Sequence, residues 1–159
     1  MAYIYPAPGN ATTGSSLSLT VVGGTDSTGL VIPALQDVTV NAANDVFTWT
    51  QLDSASKLQI ATTATNSMSM NIVLEQDTFF GSTTPGEDAQ TAGIFGLSKD
   101  KTKVAFELYL GSTDGATTAD GKTISGEGYI TGLAPTVSAD APVWVSPITI
   151  TVDGDYTVA

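Results

Sequence analysis

The sequence predicts a mainly β protein, a β-sandwich or half-barrel of about eight strands with one short α-helix packed against it. Three observations lead to this prediction. Apolar and polar residues alternate with period two in several separate segments, which is typical of half-buried strands. The polar remainder is rich in Ser, Thr, Asn and Gly rather than in Lys and Glu, and threonine packs well on a pleated surface. Only residues 84–99 show the capping residues of a helix.

Length and charge limit the kind of protein. The chain has 159 residues, of which 42% are hydrophobic and 13% charged, so we expect a single domain at residues 16–159. Residues 1–15, rich in Pro, Gly, Asn and Thr, are expected to form an extended N-terminal arm. The net charge of −11 argues against binding to nucleic acids or to anionic membranes. No signal peptide and no membrane-spanning run is recognisable, so we expect a chain made inside a cell that stays soluble until it assembles.

The chain contains no cysteine and no histidine. Disulfides and thiolate chemistry are therefore excluded, and the commonest general base and metal ligand are missing. Serine and threonine are abundant, but only carboxylates and lysines remain to activate them. We expect no enzyme, no cofactor and no metal site. A calcium-binding module is an alternative suggested by Asp114-Gly115, Asp120-Gly121 and Asp153-Gly154-Asp155, although such pairs are more typical of turns.

The predicted strands follow the alternation of apolar and polar residues. They comprise residues 16–22, 30–40 with an interruption at Pro33, 45–50, 67–75, 104–110, 124–131 and 143–152, with a continuation at 156–158. The clearest alternation lies at residues 67–75, where Met68, Met70, Ile72 and Leu74 are predicted to face the core. Ser69, Asn71 and Glu75 then belong to the opposite, polar face.

The strands at residues 104–110 and 124–131 are predicted to form a long central hairpin. Phe106 and Leu108 alternate with Glu107, and Ile130 lies on the face opposite to Glu127. The connecting residues 111–122 are small and polar, which indicates an exposed loop. The hairpin therefore has one apolar face and one polar face that contains acids and no base.

Alternation is lost between residues 51 and 66, where a long loop is predicted. A loop of this length inside a compact domain usually has a function. The predicted loop contains three apolar residues that an exposed loop cannot bury in a core, namely Leu52, Leu58 and Ile60, and such residues indicate a contact surface. An edge strand at residues 58–61 is the alternative interpretation.

The helix is predicted from a capping box. Thr84 is the expected N-cap, Pro85 takes the first helical position, and the Glu87 side chain returns to the cap. Lys99 falls near the expected C-terminus, where a cation is favourable. Residues 135–142 are expected to form a connection between two prolines.

Several segments together resemble the major tail tube proteins of long-tailed phages. Residues 47–57, Phe-Thr-Trp-Thr-Gln-Leu-Asp-Ser-Ala-Ser-Lys, are similar to the strand and opening of that family's long loop. Residues 104–110, 126–133 and 147–155 are similar to its last three strands. The resemblance covers residues 30–155 in the family's order, with a helix in the family's place. It departs after Ile60, where Ala-Thr-Thr-Ala-Thr-Asn replaces a Pro-Gly turn, and residues 1–15 have no counterpart.

The resemblance implies a structural virion protein made in the host cytoplasm. Its subunits would close into hexameric rings that stack into a hollow tail tube and conduct DNA during ejection. Its partners would be copies of itself, the tape measure protein and tail-end proteins, with DNA passing unbound and no membrane involved. Residues expected to contact the neighbouring ring are Leu52, Asp53, Lys57, Leu58 and Ile60. Residues expected to line the bore are Ser69, Asn71, Glu75, Glu107 and Glu127.

The acidic composition suits such a tube. Six copies at −11 each give −66 per ring, and an acidic wall repels phosphate so that DNA can slide. A capsid decoration protein or another β-rich virion accessory protein is the alternative, since it would share the composition and the lack of catalytic groups. Such a protein is expected to form trimers or monomers rather than tubes.

Overall fold

A computed structural model describes residues 16–25, 29–32, 35–53, 55–81, 88–111 and 121–159. This part of the chain contains nine strands and two helices, so the predicted mainly β class is confirmed. The strands are β1 (Ser16–Val21), β2 (Leu30–Val31), β3 (Leu35–Trp49), β4 (Leu58–Val73), β5 (Val104–Tyr109), β6 (Thr123–Leu133), β7 (Thr136–Ser138), β8 (Ala141–Val152) and β9 (Thr157–Val158). The helices are α1 (Gln76–Phe80) and α2 (Ala89–Lys99). The predicted N-terminal arm, the 84–87 capping box and most of the 111–122 loop, with Asp114-Gly115, lie outside the described residues.

All described strands belong to one antiparallel sheet. The strand order is β2-β1-β5-β6-β8-β4-β3, with β7 paired to β8 and β9 paired to β6. Buried residues occur on one face of the sheet from β1 across to β4. A sheet that buries one face over this width has to curve around its core, since α2 covers only part of it. Of the two predicted architectures, the half-barrel therefore describes the domain. Strands β2 and β3 are the two edges of the sheet.

The core confirms the period-two pattern. Met68 of β4 pairs with Ile150 of β8, which pairs with Ile130 of β6, so the three side chains lie on one face. The predicted central hairpin forms from β5 and β6, with Phe106 opposite Gly126. Side chains no more than 2% exposed include Leu17, Leu19, Met68, Met70, Phe106, Ile148 and Ile150.

The predicted loop at residues 51–66 is wrong over most of its length. β3 is a single strand of 15 residues that includes the separate strand expected at 45–50, and β4 has 16 residues and begins at Leu58. Only residues 50–57 connect them. Residues 59–65 are exposed, so no buried face imposes an alternating pattern there. The alternative interpretation, a strand at residues 58–61, correctly assigned these residues to a strand, but that strand continues to Val73.

The helical region also differs from the expectation. Asp88 caps α2, and its carboxylate accepts from the Thr91 amide at 2.7 Å, whereas the predicted N-cap Thr84 lies outside the described residues. Lys99 lies in the last turn, as predicted. Helix α1 has only five residues and was not predicted, since so short a segment shows no helical period. Strand β7 was not predicted either, because three exposed residues show no alternation of apolar and polar positions.

Helices α1 and α2 meet at two glycines. Gly81 and Gly93 have φ values of 77° and 65°, which disfavour other residues. A Cβ atom on Gly93 would lie 2.3 Å from the backbone nitrogen of Gly81. The helical geometry of α2 is interrupted at Gly93, which has ψ 172°. Both the conformation and the close approach therefore require glycine at this contact.

We expect Gly93→Ala to lower the free energy of unfolding by at least about 2 kcal/mol, since the backbone conformation is strained for alanine and the neighbouring chain must move. Gly96→Ala is the matched control: its Cβ would lie 3.4 Å from that of Ala92. That control should be neutral or stabilising by up to about 1 kcal/mol. Denaturant unfolding measures both variants, and equal stabilities would contradict the structural role of Gly93.

Candidate functional site

Strands β3 and β4 continue beyond the body of the domain as a two-stranded arm. β4 pairs with β8 from Ser67 to Val73, but its pairing with β3 extends to Leu58. We call residues 42–65 the projecting arm. Its described residues are exposed except for the half-buried Trp49 and Leu58. About eight residues in each strand give the arm a length of about 25 Å.

One face of the projecting arm is apolar. Phe47 pairs with Ile60, and Trp49 pairs with Leu58, so all four side chains point to the same side. The rings of Phe47 and Trp49 stack with centroids 6.0 Å apart. Phe47 is 59% exposed and Ile60 is 56% exposed. We call these four residues the apolar arm face, and a two-stranded ribbon that exposes such a face is expected to need a partner.

The five residues expected to contact the next ring divide into two groups. Leu52, Asp53 and Lys57 lie exposed at the tip of the projecting arm. Leu58 and Ile60 belong to β4 and to the apolar arm face. Their contact with a neighbouring ring stays a prediction. Phe47 and Trp49 fall within the strand predicted at residues 45–50, but the sequence does not assign them to this surface, because their partners Leu58 and Ile60 fall in the predicted loop.

The base of the projecting arm is held by the turn before β9. Asn66 is 3% exposed, and its amide nitrogen donates to the carbonyl of Gly154 at 2.9 Å. The Tyr156 hydroxyl lies 2.9 Å from the carbonyl oxygen of Asn41 and 2.8 Å from that of Ser67. Burial raises the pKa of Tyr156, so the hydroxyl keeps its proton as a donor. The turn therefore contacts both strands where they leave the body.

We expect Tyr156→Phe to loosen the base of the projecting arm at a cost of about 1 kcal/mol, since the hydrogen bonds of the hydroxyl are lost. Amide hydrogen exchange should accelerate in the segments around Asn41 and Ser67. Tyr129→Phe is the matched control, because Tyr129 is 40% exposed and its hydroxyl has no hydrogen bond within the described residues. Equal exchange in the two variants would show that Tyr156 does not fix the arm.

The polar face of the sheet carries two of the residues expected to line the bore. Ser69 and Asn71 lie on β4 beside β8, and Ser69 pairs with Thr149. The Asn71 side chain donates to both carboxylate oxygens of Asp37 at 2.9 and 3.0 Å. Strand β4 thus presents neutral and hydrogen-bonded groups on this face.

The expected set of acids without a base is wrong at Glu127. The Lys103 ammonium lies 2.8 Å from the Glu127 carboxylate and 3.0 Å from that of Asp153. These two carboxylates raise the pKa of Lys103, which stays protonated. Glu107 is exposed on β5, where it pairs with Ser125 on the same face as Glu127. Two strands, β6 and β8, separate Glu107 from β4.

Glu75 is not on a strand, so its predicted position is wrong. It is the N-cap of α1, where its carboxylate accepts from the Thr78 hydroxyl at 2.6 Å and from the Thr78 amide at 3.0 Å. These hydrogen bonds to Thr78 hold the pKa of Glu75 below its ordinary value, so the residue stays negatively charged. Glu75 lies at the end of β4 opposite to the projecting arm.

A second exposed apolar surface lies beside Glu75. It is an open groove of about 690 Å³ that we call the aromatic groove, lined mainly by Leu74, Phe79, Phe80, Phe95, Val143 and Trp144. Phe80 is 61% exposed and Trp144 is 52% exposed. The rings of Phe79 and Phe80 meet edge-on with centroids 4.9 Å apart. The groove was not predicted from the sequence, although consecutive apolar residues such as Val143 and Trp144 cannot both face a core from one strand.

The helix caps make the aromatic groove sensitive to acid. Hydrogen bonds from Thr78 and Thr91 lower the pKa values of Glu75 and Asp88, so the caps stabilise the helices above the ordinary carboxylic pKa. This contribution is lost as pH falls below about 4. We expect the fluorescence of Trp144, in a Trp49→Phe background, to change on acidification before global unfolding. Adding Glu75→Gln and Asp88→Asn should remove the early change, and an unaltered titration would contradict this assignment.

The described residues contain no helix long and apolar enough to cross a bilayer. Within the same ranges, no group of three or more Asp or Glu side chains is arranged to hold a metal ion.

No protein-family model and no curated protein matches the sequence. Solved structures do match it. The tail of an empty gene transfer agent particle, computed with C6 symmetry, superposes with TM-score 0.61 and 12% identity over 90% of this chain and 95% of that chain. The SPP1 tail tube superposes with TM-score 0.62 and 10% sequence identity, over 95% of this chain and 78% of that chain. A chain of the anti-feeding prophage baseplate superposes with TM-score 0.62 and 10% sequence identity, over 96% of this chain and 95% of that chain. The fold is therefore that of tail tube proteins, as the sequence resemblance predicted.

Proposed function

We propose that this chain is a structural subunit of a phage-type tail tube and resides in the tail of a virion. The observation that carries the proposal is the tail tube fold, which is shared over 90% of this chain with the tail structure of a gene transfer agent. The projecting arm supports it, since a long exposed ribbon with an apolar face is suited to contacts between subunits.

Ring formation follows from the edges of the sheet. Strands β2 and β3 each have one unpaired edge within the described chain. Edge pairing or edge covering by identical neighbours removes both edges when the ring closes. A tail in the group of similar structures was computed with C6 symmetry, and we propose hexameric rings for this chain. Tape measure and tail-end proteins are proposed as further partners from the resemblance alone.

The polar face of β4 and its neighbours is proposed to line the bore. Ser69 and Asn71 are the candidates on β4, and Glu127 is the candidate on β6, in the part of that strand that pairs with β5. The Lys103 ion pair reduces the local negative charge, so the proposed repulsion of DNA depends mainly on the net charge of −11 per subunit. Glu107 lies on β5, next to β6 and on the same face as Glu127, and Glu75 lies beyond the end of β4. DNA is proposed to pass through this bore without specific binding.

The oligomeric state tests the proposal. Native mass spectrometry at low protein concentration should show six copies of the 16.3 kDa subunit. Raising the concentration should add further sets of six. A mass of three copies or of one copy at every concentration would favour a capsid decoration or other accessory protein instead.

A further inference from the structure

We propose that the aromatic groove of one subunit receives the apolar arm face of a subunit in the neighbouring ring. The proposal rests on the tail tube function and identifies the two surfaces that stack one ring on the next. The occupant of the groove is thus a second copy of this chain.

The placement of the two surfaces supports this inference. The apolar arm face includes Leu58, the first residue of β4, and the groove includes Leu74, the residue directly after the strand. A strand of 16 residues spans about 50 Å, so the arm cannot fill its own groove. Complementary patches at opposite ends of one subunit make a heterologous contact that repeats in one direction without closing. Stacking of rings requires such a contact.

The chemistry of the two surfaces is complementary. The arm face offers two aromatic and two aliphatic side chains, and the groove exposes Phe80, Phe95 and Trp144 by 61%, 44% and 52%. Aromatic rings from both sides can pack edge-on or offset and exclude water. Neither surface is covered by another element of the described chain, so both stay in contact with water until subunits associate.

Charge at the rims agrees with this direction of docking. Lys57 directly precedes Leu58 at the tip of the arm and has no ion-pair partner among the described residues. Glu75 lines the groove and stays ionised because it accepts hydrogen bonds from Thr78. Docking would bring an unpaired cation toward a fixed anion, which favours this register over a reversed one.

Disulfide cross-linking tests the contact directly, because the chain has no cysteine of its own. The test variant carries Ile60→Cys and Phe80→Cys, and cysteine retains part of the apolar character. The control carries Val46→Cys and Phe80→Cys, since Val46 is 53% exposed on the opposite face of the arm. A second test pair, Leu58→Cys with Phe95→Cys, is assembled in parallel, so that one pair that blocks assembly does not decide the result.

After mild oxidation of assembled tubes, a non-reducing gel should show a ladder that continues past six subunits. The yield should exceed that of the Val46 control by about tenfold or more, since docking raises the effective thiol concentration. A ladder that ends at six would place the arm on a neighbour within the ring and overturn the proposal. Tubes without cross-links from either test pair would leave the tube function intact and overturn the docking. Absence of tubes from the unsubstituted chain would overturn the tube function itself.

Discussion

A subunit that carries Phe47→Asp together with Ile60→Asp is expected to stay folded and to form no long tubes. Both side chains belong to the exposed apolar arm face, so the monomer loses no core contact. Burial of each such side chain is worth about 1.5–3 kcal/mol, and the proposed ring would repeat the contact in every subunit. A carboxylate forced into the same contact also has to be desolvated. Sedimentation and electron microscopy measure assembly, and circular dichroism checks the fold.

Thr48→Asp with Gln59→Asp is the matched control. These two residues pair with each other next to Phe47 and Ile60, on the opposite face of the projecting arm. The control adds the same two charges per subunit and leaves the apolar arm face intact. We expect it to form tubes. Long tubes from the Phe47 and Ile60 variant would show that the arm face does not join rings.

The second large effect concerns the bore. Tubes that carry Ser69→Lys with Glu127→Gln are expected to retain short single-stranded DNA in a form protected from nuclease. The change adds a cation at Ser69 on β4 and leaves Lys103 with Asp153 as its ion-pair partner. Phosphate is then attracted to a wall that otherwise repels it, and retention should fall steeply as salt rises. Unsubstituted tubes should retain no DNA.

Ser18→Lys with Glu107→Gln provides the control for the bore. Ser18 and Glu107 pair across β1 and β5, on the same face of the sheet as Ser69 but four and three positions away from β4 in the strand order. The charge change per subunit is the same. Protected DNA in this control and not in the Ser69 variant would show that β1 and β5, rather than β4, line the bore, which would contradict our assignment of Ser69.

Strands with one buried face were predictable from the sequence. In β4, Met68, Met70 and Ile72 enter the core at every second residue, and the pattern is visible because burial enforces it. The outer part of the same strand has water on both faces in the subunit, so residues 59–65 follow no alternation. The projecting arm was therefore mistaken for a loop.

The surfaces depended on pairings that the sequence does not specify. Phe47 and Trp49 alternate visibly, but the register that places Ile60 and Leu58 beside them becomes evident only when β3 and β4 pair. The aromatic groove combines residues from four segments of the chain, at positions 74–80, 95, 135 and 143–144. The Lys103 ion pairs likewise join three separate segments.

Helix ends were ambiguous for a different reason. Thr84 and Asp88 are both favourable N-cap residues, and the sequence offers each a helix-compatible segment to follow. In the structure Asp88 is the N-cap of α2, and its carboxylate also accepts a hydrogen bond from the Thr91 hydroxyl. N-cap propensity does not distinguish the two candidates, because threonine and aspartate differ little in how much they stabilise a helix as N-cap residues.

Electron microscopy of the purified chain tests most directly whether it is a tail tube subunit. We expect hollow rods that show sixfold end views and lengthen as the protein concentration is raised. Uniform monomers or trimers at the highest attainable concentration would contradict the assignment.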